Sequence, residues 1–134
     1  EVVSLLDISK ALDFLSIPKK SEFMSTIRLT TSAISNIRRF NVDEIEDLKV
    51  IISEACTFFI NNVKNSTEPL DICYELNDNN LIVEVIDLNS GEIIQKDRTS
   101  SEMCVMIIES LADSYNFDLE NKKIIFEKCI NNFE

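Results

Sequence analysis

A long helical stripe of apolar residues in the middle of the chain restricts the fold more than any other feature. Between Asp43 and Val63, apolar side chains recur at every third or fourth position, which is the spacing of one helix face. Asp43 and Glu46 have the spacing of a capping box, in which each side chain satisfies a free backbone N–H of the first turn. The stripe consists of Ile45, Leu48, Ile52, Ala55, Phe59 and Val63. We therefore expect an amphipathic helix that buries this face in the core.

The residues before this helix predict a strand and another helix. The short apolar stretch from Ala11 to Ile17, which Pro18 closes, is typical of a strand. A helix then begins at Ser21 and ends near Arg38. Its apolar positions at helical spacing are Phe23, Ile27, Ile34 and Ile37. Phe23, Met24 and Leu29 widen the apolar coverage of this helix, which indicates either a second buried face or places in the core.

The residues after the long helix predict two hairpins with a third helix between them. Apolar residues alternate with polar ones from Leu70 to Leu76, and a polar turn leads to a second strand over Leu81 to Leu88. Thr99 and Glu102 form another capping box, which opens the third helix. Its predicted apolar face consists of Met103, Ile107 and Leu111. The second hairpin is predicted over Tyr115 to Leu119 and Lys123 to Cys129.

This order of elements predicts the fold class. A strand, two helices, a hairpin, a helix and a hairpin give an α+β two-layer sandwich, with a mostly antiparallel (mixed) sheet and three helices on one face. The 134 residues fit one domain, so residues 1–134 are predicted to form a single unit.

Charge and apolar content limit the partners. With 24 acidic and 13 basic residues the net charge is −11, and a phosphate backbone would repel such a surface. We expect protein partners and no direct nucleic-acid binding, although the acidity is also explained by solubility alone. No apolar run approaches the roughly 20 residues that a membrane span needs. Residues Glu1 to Lys10 lack the basic start and apolar stretch of a secretory signal, so a cytoplasmic protein without membrane contact is expected.

Histidine and cysteine content excludes several kinds of chemistry. The chain has no histidine, which removes histidine-based acid–base catalysis and the usual zinc sites. The four cysteines are widely spaced, each in an apolar segment, and are expected to be reduced core thiols. They are Cys56, Cys73, Cys104 and Cys129.

Two stretches of the first two predicted helices carry a family resemblance. They read EFMSTIRLTTSAISN and DEIEDLKVIISEACT, and weaker matches follow in the same order at VEVIDLNSGE and IIESLADSYNF. In these stretches the chain resembles the GHKL-type ATPases, and specifically the RsbW/SpoIIAB-like anti-sigma-factor serine kinases. The resemblance implies a GHKL (Bergerat-like) fold. The connection from Asp87 to the third helix is much shorter than the ATP lid of that family.

The resemblance also implies roles on the long helix. Glu54 matches the general base that polarises the attacking serine hydroxyl. Phe58 stands four residues later, where the family has the asparagine that coordinates Mg²⁺, and a phenyl ring cannot ligate a hard cation. Asn62 falls at a later family histidine or asparagine and has no evident metal partner. Phe58 is therefore expected to extend the apolar stripe and to fill space where nucleotide would lie.

The matches to the nucleotide motifs are incomplete. Asp87 matches the aspartate that accepts from the adenine amino group, although a carboxylate that ends a strand is otherwise simply a loop residue. Asn89 and Gly91 stand at the two glycine positions that follow, and Gly91 is the single glycine of the chain. The phosphate-binding glycines are replaced by Ser101, Glu102 and Cys104, so side chains stand where backbone must approach phosphate.

Partner docking is the part of the family pattern that the sequence keeps. Arg28 matches a first-helix arginine that helps to grip the partner, an anti-anti-sigma factor or a sigma factor, although a solvated charge explains it equally well. We expect a degenerate anti-sigma-factor-like domain without metal or nucleotide cofactor. The alternatives are a divergent serine protein kinase that uses Mg-ATP, Glu54 and Asp87, and a module that keeps only the fold. Members of the family dimerise, so a homodimer is also expected.

Overall fold

The structure is a computed structural model, and it describes residues 11–63, 67–93 and 98–130. The strands are β1 (Ala11–Ile17), β2 (Leu70–Leu76), β3 (Asn80–Asp87), β4 (Ser114–Asp118) and β5 (Lys123–Cys129). The α-helices are α1 (Met24–Ser35), α2 (Val42–Asn62) and α3 (Arg98–Leu111), and two 3₁₀ turns cover Ser21–Phe23 and Leu119–Asn121. Among the described residues no helix is both long enough and apolar enough to cross a bilayer.

The five strands form one sheet in the order β1-β2-β3-β5-β4. Each of the four strand pairings among the described residues is antiparallel, so this part of the chain shows an antiparallel rather than a mixed sheet. The register pairs Ile17 with Leu70 and Leu70 with Asp87. The end of β1, the start of β2 and the end of β3 therefore meet at the same edge of the sheet.

The core lies between one face of the sheet and the helices. Burial alternates along β2, β3 and β5, because successive side chains of a strand point to opposite faces. Helix α2 packs between α1 and α3, and all six residues of its predicted stripe are buried. The α+β sandwich predicted from the sequence is confirmed, and it is consistent with a GHKL-like fold.

The start of α2 differs from the prediction. The capping box is formed by Asn41 and Glu44 rather than by Asp43 and Glu46. The Asn41 side chain accepts from the Glu44 backbone N–H at 2.8 Å, and the Glu44 carboxylate accepts from the Asn41 N–H at 2.8 Å. The helix therefore begins at Val42, and the backbone N–H groups of Asn41 and Glu44 are satisfied reciprocally.

The apolar faces of α1 and α3 were predicted only in part. In α1, Ile27 and Ile34 are buried, whereas Ile37 lies in the turn after the helix and is 62% exposed. Leu29 is 70% exposed and so belongs neither to the core nor to a second buried face of the described chain.

The predicted face of α3 is displaced by one residue. Cys104 and Ile108 are buried, while Met103 is 55% exposed and Ile107 only half-buried. The helix already includes Arg98, so Thr99 lies inside its first turn rather than at its cap. The Thr99 side chain lies outside the described residues.

The cysteines are free thiols, as expected, but two of them are not in the core. Cys56 and Cys104 are buried in the helical layer. Cys73 and Cys129 are half-buried and lie on the strands β2 and β5, with side chains on the sheet face away from the helices.

Candidate functional site

The residues predicted to form a site converge at the sheet edge where β1 and β3 end. Asp87 is the last residue of β3, and Asn62 is the last residue of α2. Val63 follows α2 and forms an isolated antiparallel bridge with Ile93, which brings the segment after β3 back to the end of this helix. Ser101, in the first turns of α3, contacts Asn62. One end of the sandwich therefore gathers β3, α2 and α3.

Asp87 is buried at this edge and paired with a cation of the same chain. Its Oδ2 lies 2.9 Å from Lys19 Nζ, and the two side chains are 0% and 1% exposed. The Lys19 ammonium also donates to the backbone oxygen of Val63 at 3.0 Å. One lysine therefore links the end of β1 to the end of β3 and to the residue that terminates α2.

Asn89 occupies the other oxygen of Asp87. Its backbone N–H and its side-chain amide donate to Asp87 Oδ1 at 2.9 and 2.6 Å. The same side chain exchanges two hydrogen bonds with the Glu68 backbone, at 2.8 and 2.9 Å. Both oxygens of the Asp87 carboxylate are therefore engaged by groups of the protein. Gly91, two residues further on, accepts a hydrogen bond from Lys122 Nζ at 2.8 Å.

Phe58 fills space inside the site. Its side chain is 2% exposed, and its ring meets that of Phe59 edge to face, with centroids 5.6 Å apart and planes at 86°. The aromatic ring thus adds to the apolar core of α2, as the sequence predicted.

The Asn62 side chain is committed to neighbouring protein groups. Its amide nitrogen donates to the Phe58 backbone oxygen at 2.8 Å, and its amide oxygen accepts from the Ser101 hydroxyl at 2.8 Å. Asn62 and Ser101 are both 3% exposed, so this polar contact joins α2 to α3 within the core. Among the described residues, no cluster of three or more acidic, cysteine or histidine side chains is arranged to hold a metal ion.

Glu54 is half-buried and faces α3. The Cys104 thiol lies close enough to its carboxylate for Glu54 to raise the pKa of the thiol. Burial, and then Glu54, raise the pKa of Cys104 to about 12. Glu102 is an exposed residue in the first turns of α3.

An apolar cavity of about 330 Å³ opens beside Phe58, between α2 and α3. It is lined by Phe58, Ser101, Glu102, Val105, Met106 and Leu119. Of the side chains matched to nucleotide motifs, Phe58, Ser101 and Glu102 therefore share one surface. Asp87 and Asn89 do not line this cavity, and they lie in the buried contacts described above.

Arg28 lies on the surface formed by α1 and α2. Its guanidinium donates to the hydroxyls of Ser53 on α2 at 3.3 Å and of Ser25 on α1 at 3.4 Å. The side chain is half-buried, and Leu29 beside it is 70% exposed. These contacts hold the arginine across the two helices at a position with access to solvent.

Lys19 is the site residue that sequence reasoning missed. Its only local signal is its position directly after Pro18, which closes β1. A lysine in a polar connection is ordinarily exposed. The register of β1, β2 and β3, which brings Lys19 beside Asp87, is a property of the sheet rather than of the local sequence.

Fold and site together form an α+β domain that is consistent with a GHKL-like fold, with a glutamate on the long helix and an aspartate at the end of a central strand. Its relatives include a serine-protein kinase RsbW of Halalkalibacterium halodurans, 30% identical over 83 residues, which are 62% of this chain and 50% of the relative. The serine-protein kinases RsbW of Bacillus thuringiensis and Bacillus cereus are 38% identical over 74 residues, which are 54% of this chain and 46% of each relative. These relationships support an RsbW-like family for the chain, as the resemblance predicted.

The similarity is partial in extent. The chain spans about half the length of the curated relatives that it matches. No family model matches the chain.

Proposed function

We propose that this chain is an anti-sigma-factor-like regulatory domain that binds a protein partner without phosphorylating it. The partner is a sigma factor or an anti-anti-sigma factor, and binding takes place in the cytoplasm. The observation that carries the proposal is the internal pairing of Asp87 with Lys19 and Asn89. An adenine amino group would have to displace a buried ammonium before it reached this carboxylate, and the exchange would leave a charge without its partner.

The surroundings of Phe58 support the proposal as well, because they do not suit a bound Mg²⁺ ion. A hard cation such as Mg²⁺ requires oxygen ligands, and a phenyl ring supplies none. Asn62 is the nearest amide on the same helix face, and its oxygen already accepts from Ser101. These side chains do not suit a bound Mg-ATP, so the proposed function does not require nucleotide.

A divergent serine protein kinase is the second candidate. The relatives' names, serine-protein kinase RsbW, favour it, and the chain keeps a glutamate at position 54. In that case the chain would phosphorylate an anti-anti-sigma factor with Mg-ATP. In this candidate, the substrate hydroxyl displaces the Cys104 thiol from the Glu54 carboxylate. Glu54 then acts as the general base.

Calorimetric titration with Mg-ATP separates the two candidates. For the proposed function we expect a dissociation constant in the millimolar range or weaker, equivalent to about 4 kcal/mol of binding free energy or less. A thermal-denaturation series at sub-millimolar Mg-ATP should accordingly show almost no shift of the midpoint, because stabilisation requires ligand above its dissociation constant. A rise of several degrees would reject the proposal and support the kinase.

Docking through Arg28 provides the positive test. An arginine that anchors an interface costs on the order of 2 kcal/mol or more of binding free energy when it is truncated. Partners captured by the wild-type chain would be identified, purified and titrated with Arg28→Ala and Arg28→Glu. Arg39→Ala is the matched control, since Arg39 is exposed in the turn after α1. Both Arg28 variants should fold normally and lose the regulatory partner, Arg28→Glu more completely because it adds to an already acidic surface.

Two results would contradict this docking mode. Equal affinity of the wild-type chain and both Arg28 variants would remove Arg28 from the interface. Failure to recover a sigma factor or an anti-anti-sigma factor under any condition would leave a domain that keeps only the fold.

A further inference from the structure

The face of the sheet turned away from the helices carries a regular arrangement of acidic and apolar side chains. We call it the outer face, and it includes Phe14, Asp71, Cys73, Glu75, Ile82, Glu84, Lys123, Ile125 and Glu127. The strand register sets Phe14 opposite Cys73, Glu75 opposite Ile82, and Glu84 opposite Ile125. Acidic and apolar positions therefore alternate along β2 and β3, and an acidic residue lies opposite an apolar one in two of these three pairs.

A groove crosses this face from β1 to β3. It has a volume of about 520 Å³, and Phe14, Cys73, Ile82 and Glu84 are among its lining residues. Ile82 also lines an adjoining cavity of about 240 Å³ that extends the depression to Ile125. Phe14 is 58% exposed, which is unusually high for an aromatic side chain in a strand. The outer face thus offers an apolar depression that the described part of the chain does not cover.

The electrostatic potential of the outer face is negative. Four carboxylates lie on β2, β3 and β5, and Lys123 is the single base among the described strand residues that share this face. Lys123 pairs with Glu84 at 3.3 Å. Burial, and then the charges of Glu84 and Asp71, raise the pKa of the Cys73 thiol near the middle of the face. Hydrogen bonds from Asn80 and Ser114 lower the pKa of Glu127, which keeps this carboxylate ionised.

We propose that the outer face docks a basic amphipathic helix of a partner protein. Apolar side chains of that helix would lie in the groove over Cys73 and Ile82, and its lysines or arginines would face Glu75, Glu84 and Glu127. Complementary charge is the argument for this occupant, since opposite potentials steer and align two surfaces. A second copy of this chain is disfavoured, because it would bring two acidic faces together.

The dimensions of the outer face fit such a helix. From β1 to β5 there are three inter-strand spacings, which together span about 14 Å. A helix rises 1.5 Å per residue, so about ten residues cover that distance. This surface lies on the opposite side of the sheet from Arg28, and the inference is independent of the proposed function.

The test uses a synthetic helix of about 18 residues in which a leucine stripe is flanked on both sides by lysines, so that leucines and lysines reach the outer face together. A peptide with the same leucines and glutamate in place of lysine is the charge control, and a scrambled leucine–lysine peptide is the pattern control. Binding to the whole chain would be measured by fluorescence anisotropy at about 50 and about 300 mM salt. Backbone amide shifts in NMR spectra would locate the peptide.

Three substitutions make the test specific to the outer face. Glu84→Lys should weaken binding by about tenfold or more, and Phe14→Ser by about fivefold, because one reverses a central charge and the other removes exposed apolar surface. Glu109→Lys is the matched control, since Glu109 is exposed on α3 and the charge change is the same. It should leave the affinity within about twofold. Circular dichroism establishes whether each variant is folded. If Glu84→Lys does not fold, Phe14→Ser still tests the outer face.

The expected result is binding of the leucine–lysine helix alone, weakened by salt, with amide shifts confined to the outer-face strands. The proposal is wrong if Glu109→Lys weakens binding as much as Glu84→Lys, because net charge would then explain the affinity. It is equally wrong if the shifts fall on the helices, or if the scrambled peptide binds as tightly. Sedimentation that shows a dimer of the wild-type chain, dissociated by Phe14→Ser, would assign the outer face to a second copy instead.

Discussion

Replacement of Lys19 by methionine keeps the unbranched stem of the side chain, shorter by the terminal nitrogen, and removes its charge from the buried edge of the sheet. The Lys19 ammonium and the Asp87 carboxylate are 2.9 Å apart, with exposures of 1% and 0%. At an effective dielectric constant of 20, their attraction is about 6 kcal/mol, which the cost of burying both charges opposes. Lys19→Met leaves the carboxylate buried without its counter-charge, so we expect the free energy of unfolding to fall by about 3–5 kcal/mol.

The double variant distinguishes the ion pair from two independent contributions. Asp87→Asn alone should also cost about 3–5 kcal/mol, because it leaves a buried ammonium unpaired. With both charges removed, no buried charge remains, and Lys19→Met/Asp87→Asn should be little worse than either single variant. The expected coupling energy is therefore about 3 kcal/mol, at the upper end of measured values for residues in contact.

Urea denaturation of the four proteins measures this cycle, provided that they share one slope of free energy against urea. Lys49→Met is the matched control, because Lys49 pairs with Glu46 at 3.1 Å on the surface of α2, with exposures of 31% and 61%. It should change the free energy of unfolding by about 0.5 kcal/mol or less. Additive costs, or single costs below about 1 kcal/mol, would refute the role given to the buried pair.

Three further predictions concern packing, protonation and thiol reactivity. Phe58→Ala should cost about 3–5 kcal/mol in urea denaturation, since Phe58 is 2% exposed, whereas Phe14→Ala, at a position 58% exposed, should cost under about 1 kcal/mol. A small cost at Phe58 would mean that its pocket is open. Because the pKa of Glu127 is lowered on folding, its stabilising contribution is present above the unfolded value of about 4.3 and disappears as the pH falls through the folded value. The stability difference between wild type and Glu127→Gln should therefore shrink as the pH falls below the unfolded value, and a pH-independent difference would contradict the shift. Alkylation of Cys104 by iodoacetamide, followed by mass spectrometry, should be very slow at pH 8, since its pKa is about 12. Glu54→Gln should accelerate the reaction, because it removes a charge that raises the pKa of the thiol, and an unchanged rate would contradict that contribution.

Periodicity predicted the helices and strands because each repeats one environment over many residues. The limits of β1, β2 and β5 agree with the sequence prediction, and the whole stripe of α2 is buried. The face of α3 was predicted one residue out of frame, because Met103 and Ile107 form one apolar row and Cys104 and Ile108 form another. Packing against α2 selects the second row, and the local sequence carries no signal for that choice.

The cap of α2 was misplaced for a similar reason. Asn41 with Glu44 and Asp43 with Glu46 both have the spacing of a capping box. The second pair lies two residues after the first. Only the path of the backbone before the helix decides which pair closes. Boundaries that depend on such alternatives are the least certain part of a sequence prediction.

The candidate site was predicted in part through resemblance, and its internal contacts were not. Phe58 was expected to fill space and is buried, while the functional roles matched to Glu54, Asp87 and Arg28 stay predictions. The partner of Asp87 lies 68 residues earlier in the chain, and the pairing of three strands brings it into place. The pairing of Lys19 with Asp87 can therefore be predicted only from the tertiary structure.

A single substitution at this site should not give nucleotide binding, because the neighbouring polar groups have partners within the protein. Phe58→Asn would place an amide where the resemblance implies the metal ligand of the family. The new side chain would lie among apolar neighbours, while the Asn62 oxygen still accepts from Ser101 and Asp87 still pairs with Lys19. A buried amide without partners costs about 1–3 kcal/mol, so the variant should lose stability and show no Mg-ATP affinity below the millimolar range. Calorimetry and urea denaturation measure both quantities. Sub-millimolar binding by Phe58→Asn alone would mean that the remaining side chains form a nucleotide site that one aromatic ring had blocked.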